Sequence, residues 1–119
     1  MRKLGKCMVK TVSLKENRDF RRLYGSKQNV VNPYMAVYCR KNRLGINRLG
    51  LTVGTKVGHA VVRNRVRRRL REAYRAQEAD ILTGYDIVVV ARVRSAQTSF
   101  QVLQKSLNDC LSGLKLMQR

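Results

Sequence analysis

The spacing of apolar residues along the chain changes period several times, and each change predicts an element. Phe20, Leu23 and Tyr24 recur at i, i+3 and i+4, the spacing of one helix face. Ser13 followed by Glu16 has the form of a capping box, so a short helix is predicted over 14–24, with Gly25 as its stop. Residues 27–33 read as a loop. Residues 34–40 read as a strand, because Tyr34 to Cys39 are apolar or aromatic throughout. Residues 41–47 form a basic turn containing Gly45. Over 48–55 the pattern alternates, with Leu49, Leu51 and Val53 on one face and Gly50, Thr52 and Gly54 on the other. The two strands predict an antiparallel hairpin, and its glycines leave a face open to close approach.

Helical spacing returns after Gly58. Val62, Val66, Leu70, Ala73 and Tyr74 cover an arc of roughly 120° at about 100° per residue, which predicts the main helix over 59–77. Thr83-Gly84 breaks the pattern. A strand follows over 85–92, and its run Ile87 to Ala91 is apolar enough for burial on both faces. Thr98 or Ser99 then caps a helix reaching about Gly113, with Phe100, Leu103, Leu107, Cys110, Leu111 and Leu114 as its core stripe. Residues 1–12 show no period and read as a basic, extended tail. The order helix, strand, strand, helix, strand, helix implies an α+β fold, one domain over 1–119 with helices packed on a small sheet. On the strand over 34–40, Met35, Val37 and Cys39 alternate with Tyr34, Ala36 and Tyr38. If helices cover the first set, Tyr34 and Tyr38 face outward.

Charge sharpens this picture. Lys and Arg number 26 against 7 Asp and Glu, a formal net charge of +19 on 119 residues. Such an excess attracts polyanions. A membrane-surface helix would oppose its basic face with a broad Trp, Phe and Leu face, yet the chain has no Trp. No apolar run approaches the ~18 residues of a membrane span, and the start of the chain lacks a secretory signal pattern. These features point to nucleic acid and to the cytoplasm. Cys7, Cys39 and Cys110 form no CxxC pair, and His59 is the single histidine, so neither a disulfide framework nor a zinc site is expected.

The charge is concentrated. Residues 63–75 hold seven arginines in thirteen positions, with Glu72 the sole acid between His59 and Gln77. The arginines fill the arc left open by the apolar stripe, and Arg forks onto phosphate and stacks on bases. A merely solvated helix would alternate its charge signs. Asn64, a mediocre helix former, is either a local cap or a nucleotide contact. Phe20, Tyr24 and Tyr38 are candidates for a stacking platform, although packing of the first helix explains Phe20 and Tyr24 equally well. The acids are scattered without metal-nuclease spacing, His59 lacks a motif partner, no nucleophile has a recognisable base, and no P-loop is present. Any RNA reaction therefore takes its chemical groups from elsewhere.

The stretch Gly50-Leu51-Thr52-Val53, then Lys56-Val57-Gly58, then Ala60 to Glu72 with its Arg63-Asn64-Arg65 core, resembles the signature of the bacterial ribonuclease P protein family. Leu14-x-x-x-x-Asp19-Phe20, Met35 to Tyr38, Tyr85 to Arg92 and the C-terminal helix extend the likeness over most of the chain. The resemblance implies a small mixed sheet in a two-layer sandwich, of order α-β-β-α-β-α with room for one more strand before the Arg-rich helix. It also implies a left-handed βαβ crossover through that helix, against the usual hand. It implies a cleft for the single-stranded 5′ leader of precursor tRNA, here Phe20, Tyr24, Ala36 and Tyr38. Lys56, Arg63, Asn64, Arg65, Arg67, Arg68, Arg69 and Arg71 would face the catalytic RNA rather than DNA or membrane. That RNA, with its Mg²⁺, would carry the hydrolysis. Thr55 stands where the family often has Lys, and Ala36 where it often has a branched residue. Both changes bear on leader preference. A structural ribosomal or general RNA-binding protein is the alternative reading, and a stand-alone nuclease lacks its acids.

Overall fold

The structure, a computed structural model, describes residues 11–118. Its sheet is organised around β5 (Tyr85–Ala91), in which Ile87, Val88 and Val89 are all fully buried. Successive side chains alternate in direction, so a strand apolar on both faces must lie inside the sheet and be covered from both sides. β5 pairs antiparallel with β3 (Met35–Lys41) and parallel with β4 (Asn47–Thr52). β2 (Asn29–Val31) extends the sheet antiparallel to β3, and β1 (Thr11–Ser13) extends it parallel to β4. The strand order is β1-β4-β5-β3-β2. The expected hairpin therefore does not form. β5 inserts between its two strands, because hairpin pairing would leave the most apolar strand at an edge.

Three helices cover the sheet. α2 (Ala60–Gln77) links the parallel neighbours β4 and β5, and α3 (Phe100–Gly113) packs beside it. Val66, Leu70, Ala73 and Tyr74 of α2 and Leu103, Leu107, Cys110 and Leu111 of α3 form one core with Met35, Val37, Cys39, Leu49, Ile87 and Val89. α3 starts as its sequence implies, with the Ser99 hydroxyl accepting from the Val102 N–H at 3.3 Å. The opposite face is partly covered by α1 (Asn17–Tyr24), where Leu14, Leu23 and Val88 make a second cluster flanked by Phe20, Tyr38 and Val90. The two-layer expectation thus gains a short third layer. The second face of the sheet is not free.

The remaining departures are local. α1 begins at Asn17 rather than 14, and Glu16 occupies its N-cap without a side-chain bond. Ser13 cannot cap this helix because it belongs to β1, and the next N–H, that of Leu14, donates to Leu49 O at 2.9 Å. The expected tail is strand at Thr11 and Val12, while residues 1–10 lie outside the described residues. The loop expected over 27–33 contains β2. Tyr34 packs against the main core instead of facing outward. Cys39 and Cys110 are free and buried, and burial pushes both thiols up to about 11. No helix among the described residues is long and apolar enough to cross a membrane.

Candidate nucleic-acid interface

β1 pairs with β4 only as far as Leu49. Beyond it, Gly50, Leu51 and Thr52 form an uncovered strand edge beside α1. A groove of about 390 Å³ opens there, lined by Asn17, Phe20, Arg21, Tyr24, Leu51 and Thr52. Residues 17, 20, 21 and 24 share a helix face by their i, i+3, i+4, i+7 spacing. Phe20 is half-buried, its ring seated over Gly50, where an added Cβ would lie 2.6 Å from two ring carbons. Tyr24 is 41% exposed and its hydroxyl lies 2.8 Å from Thr52 Oγ1. Its ring stands 6.3 Å from Phe20 and meets Tyr38 edge-on at 5.9 Å. Ala36 is buried on the same face of β3 as Tyr38 and does not line the groove. Three of the four expected cleft residues therefore form one aromatic series, half packed and half open.

Past Phe20 and Leu51 the groove meets a smaller hollow of about 170 Å³ whose walls include Ser13, Gly50, Arg67 and Arg71. Phe20 and Leu51 line both, so the groove and the arginine-walled hollow lie side by side. Helical geometry divides the α2 arginines among three directions. Arg63, Arg67 and Arg71, four apart, form the row toward β4. Arg65 and Arg69 form a row toward the 3-10 turn Val93–Gln97, and Arg69 donates to Thr98 O at 3.1 Å. Arg68, Arg71 and Arg75 are exposed. The arginines do fill the arc left open by the apolar stripe, but Arg63, Arg65, Arg67 and Arg69 are half-buried rather than fully solvated. Arg63 Nε donates to Gly58 O at 3.1 Å. Arg65 Nε is enclosed and has no hydrogen-bond partner. Asn64 is not the cap of α2, whose N-cap is His59; it is exposed, and its Oδ1 accepts from Arg67 at 2.9 Å. Lys56 is exposed on the 3-10 turn Thr55–Val57 that leads into α2.

Among the described residues no α2 arginine forms a salt bridge, so the helix presents uncompensated positive charge. The buried acids are engaged elsewhere. Asp19 and Asp86 both bind Arg48. Glu78 is buried and accepts from Thr11 Oγ1 at 2.5 Å. Among the described residues no cluster of three His, Cys, Asp or Glu side chains could hold a metal. A further depression, of about 620 Å³, lies at the β2–β3 turn and carries Arg92 and Arg94 but no aromatic lining. Sequence reasoning missed Asn17, Arg21 and Thr52. The helical spacing of Asn17 and Arg21 with Phe20 and Tyr24 was a readable signal, whereas Thr52 depends on where β1 ends.

The chain is similar to known proteins over most of its length. Residues 8–115 match the family model described as Ribonuclease P. The ribonuclease P protein component of Natranaerobius thermophilus is 38% identical over 112 residues, covering 94% of this chain and 97% of that one. Its counterpart from Clostridioides difficile is 42% identical over 101 residues, 84% of this chain and 89% of that protein. Among solved structures, the Staphylococcus aureus RNase P protein superposes with a TM-score of 0.81 at 33% identity, covering 89% of this chain and 97% of its own.

Proposed function

The chain belongs to the ribonuclease P protein family, and from that premise we propose that its groove holds the single-stranded 5′ leader of precursor tRNA while α2 docks on the catalytic RNA. As a ribonuclease P protein component it is the protein subunit of a ribonucleoprotein endoribonuclease that processes the 5′ end of tRNA. The relatives are not named for a structural ribosomal role. The observation that carries the reading is the groove lined by Phe20 and Tyr24, with Tyr38 packed edge-on behind Tyr24, beside a hollow whose walls include Phe20, Arg67 and Arg71. Aromatic faces stack on bases regardless of sequence, and arginines neutralise the phosphates that join them. A duplex offers no splayed bases to such a groove, so the partner segment is single-stranded.

Arg68, Arg71 and Arg75, exposed on α2, and Lys56 beside its start form a phosphate-binding surface suited to a structured RNA. Among the described residues no three carboxylates gather as they would to hold Mg²⁺. That ion prefers hard oxygen ligands and open coordination positions, whereas Asp19, Asp86 and Glu78 are buried in hydrogen bonds to the protein itself. In this reading Mg²⁺ belongs to the RNA and its substrate. The protein contributes binding and charge neutralisation, in the cytoplasm where tRNA matures.

The test compares precursor tRNA carrying a leader with mature tRNA, each bound to the assembled ribonucleoprotein. Stacking is worth about 1–3 kcal/mol per base, so Phe20→Ala is expected to weaken the precursor by roughly 5- to 150-fold and leave mature tRNA unchanged. Equal weakening of both RNAs contradicts a leader groove and makes Phe20 a packing residue.

A further inference from the structure

α1 has eight residues and lacks a side-chain N-cap, so it is too short to be stable alone. Its position over the sheet is set by tertiary contacts. One is apolar, through the fully buried Leu23. The other is polar. Arg48 of β4 donates from Nε and NH2 to the two carboxylate oxygens of Asp86 on β5, at 2.8 and 2.7 Å, and from NH1 to Asp19 of α1 at 3.3 Å. Asp86 also accepts from Asn42 at 2.9 Å. One guanidinium thus ties α1 to two central strands. Asp19 adjoins Phe20 in sequence, and Asp19 and Asp86 are both buried.

We propose that Arg48 is a positioning residue for the leader groove: its fork onto Asp86 is a fixed anchor on the sheet, and its third donor holds Asp19 so that α1 presents Phe20 and Tyr24 at one depth and rotation above Gly50 and Thr52. This rests on the leader reading of the groove and extends it to a residue outside its lining. Adhesion alone does not call for the arrangement. Burying charge carries a desolvation penalty, and apolar replacements of buried ion pairs often stabilise, whereas a fork with fixed geometry orients what it holds. Three elements meet at Arg48, and among the described residues the single other ion pair, Lys105–Asp109, is an exposed one within α3. Lysine could not substitute, since a point ammonium cannot reproduce the fork while also reaching Asp19.

The experiment measures the affinity ratio of precursor to mature tRNA for the assembled ribonucleoprotein carrying Arg48→Lys, Asp19→Asn, Phe20→Ala, or each of the first two combined with Phe20→Ala. Positioning predicts that Arg48→Lys and Asp19→Asn each lower the ratio at least fivefold, with mature tRNA binding unchanged within twofold. It also predicts that either adds a smaller loss in the Phe20→Ala background, where Tyr24 alone remains to be positioned, than it causes by itself. Asp19→Asn keeps the Arg48–Asp86 fork, so it decides the matter if Arg48→Lys fails to fold. It also separates positioning from direct contact, because releasing Arg48 toward the groove would hold or raise the ratio if Arg48 bound the leader itself. An unchanged ratio in Asp19→Asn, equal loss for both RNAs, or a loss on top of Phe20→Ala as large as the loss without it overturns the proposal. If Phe20→Ala leaves the ratio intact, the groove reading fails and this proposal fails with it. Loss in Phe20→Ala without loss in the other two overturns positioning alone.

Discussion

Phe20 lies so close over Gly50 that the two positions are one feature. A methyl group on Gly50 would sit 2.6 Å from Cε1 and Cζ of the ring and 3.3 Å from Leu14 Cδ2. Gly50→Ala must therefore lift the ring, with an overpacking cost of about 1–3 kcal/mol. Urea unfolding is expected to show that loss, together with weaker precursor binding. Unchanged stability would mean that the ring moves freely and that Gly50 does not set its height. At this scale the sequence was partly legible. The glycines of the strand over 48–55 marked a face open to close approach, but the approaching group is an aromatic ring rather than backbone. Alternation placed Met35, Val37 and Cys39 in the core and Tyr38 opposite them. It failed for Tyr34, which precedes β3 and folds back onto the main core. The environment of Asn64 was not readable, because its partner Arg67 is one of several arginines within reach and only rotamers decide among them.

At the scale of elements, the helices with strong periods were legible nearly to the residue. α2 and α3 bury the stripes their spacing implies, and Ser99 caps α3. The strands were less so. Pairing is nonlocal, so nothing in the segments over 34–40 and 48–55 told that β5 would come between them. Only the double burial of the run 87–91 hinted at a central place. β1 and β2 have three residues each, too few for a period to show. The Arg48–Asp86 fork between β4 and β5 also carries a pH signature. Burial alone would raise the Asp86 carboxyl, but hydrogen bonds from Arg48 and Asn42 and the nearby charges of Arg48 and Arg40 outweigh it and hold the carboxyl below its ordinary 3.8. A carboxyl depressed by folding adds stability that is complete above the unfolded value and is lost as pH falls through the folded one. Asp86 is therefore expected to add acid sensitivity below pH 3.8 that Asp86→Asn lacks, read as the slope of thermal midpoint against pH. Parallel slopes for the two proteins would contradict the clamp.

For the whole molecule, charge dominates. A net +19 on 119 residues repels itself, and the α2 arginines have no carboxylate partner among the described residues. Anions that bind the native surface stabilise by mass action, by about 2.7 kcal/mol at a hundred times the dissociation constant. Low-millimolar sulfate, too dilute to act by exclusion from the surface, is expected to raise the thermal midpoint well beyond chloride at equal ionic strength. A midpoint indifferent to sulfate would mean that the basic surface is not organised for anions until RNA arrives. Composition identified the class of partner, and the Arg-Asn-Arg helix with its flanking strand identified the family. The groove could be located only once the pairing of β1 with β4 was seen to stop at Leu49 and α1 to lie on the far face. The central claim is that this chain is the protein half of a leader-binding ribonucleoprotein. Its most direct test is cleavage of precursor tRNA at low Mg²⁺ by the catalytic RNA of the same cell, with and without the protein. The account predicts cutting at the correct 5′ end when the protein is present and little or none without it. Equal cleavage in both, with the protein bound as tightly to unrelated structured RNA, would contradict it.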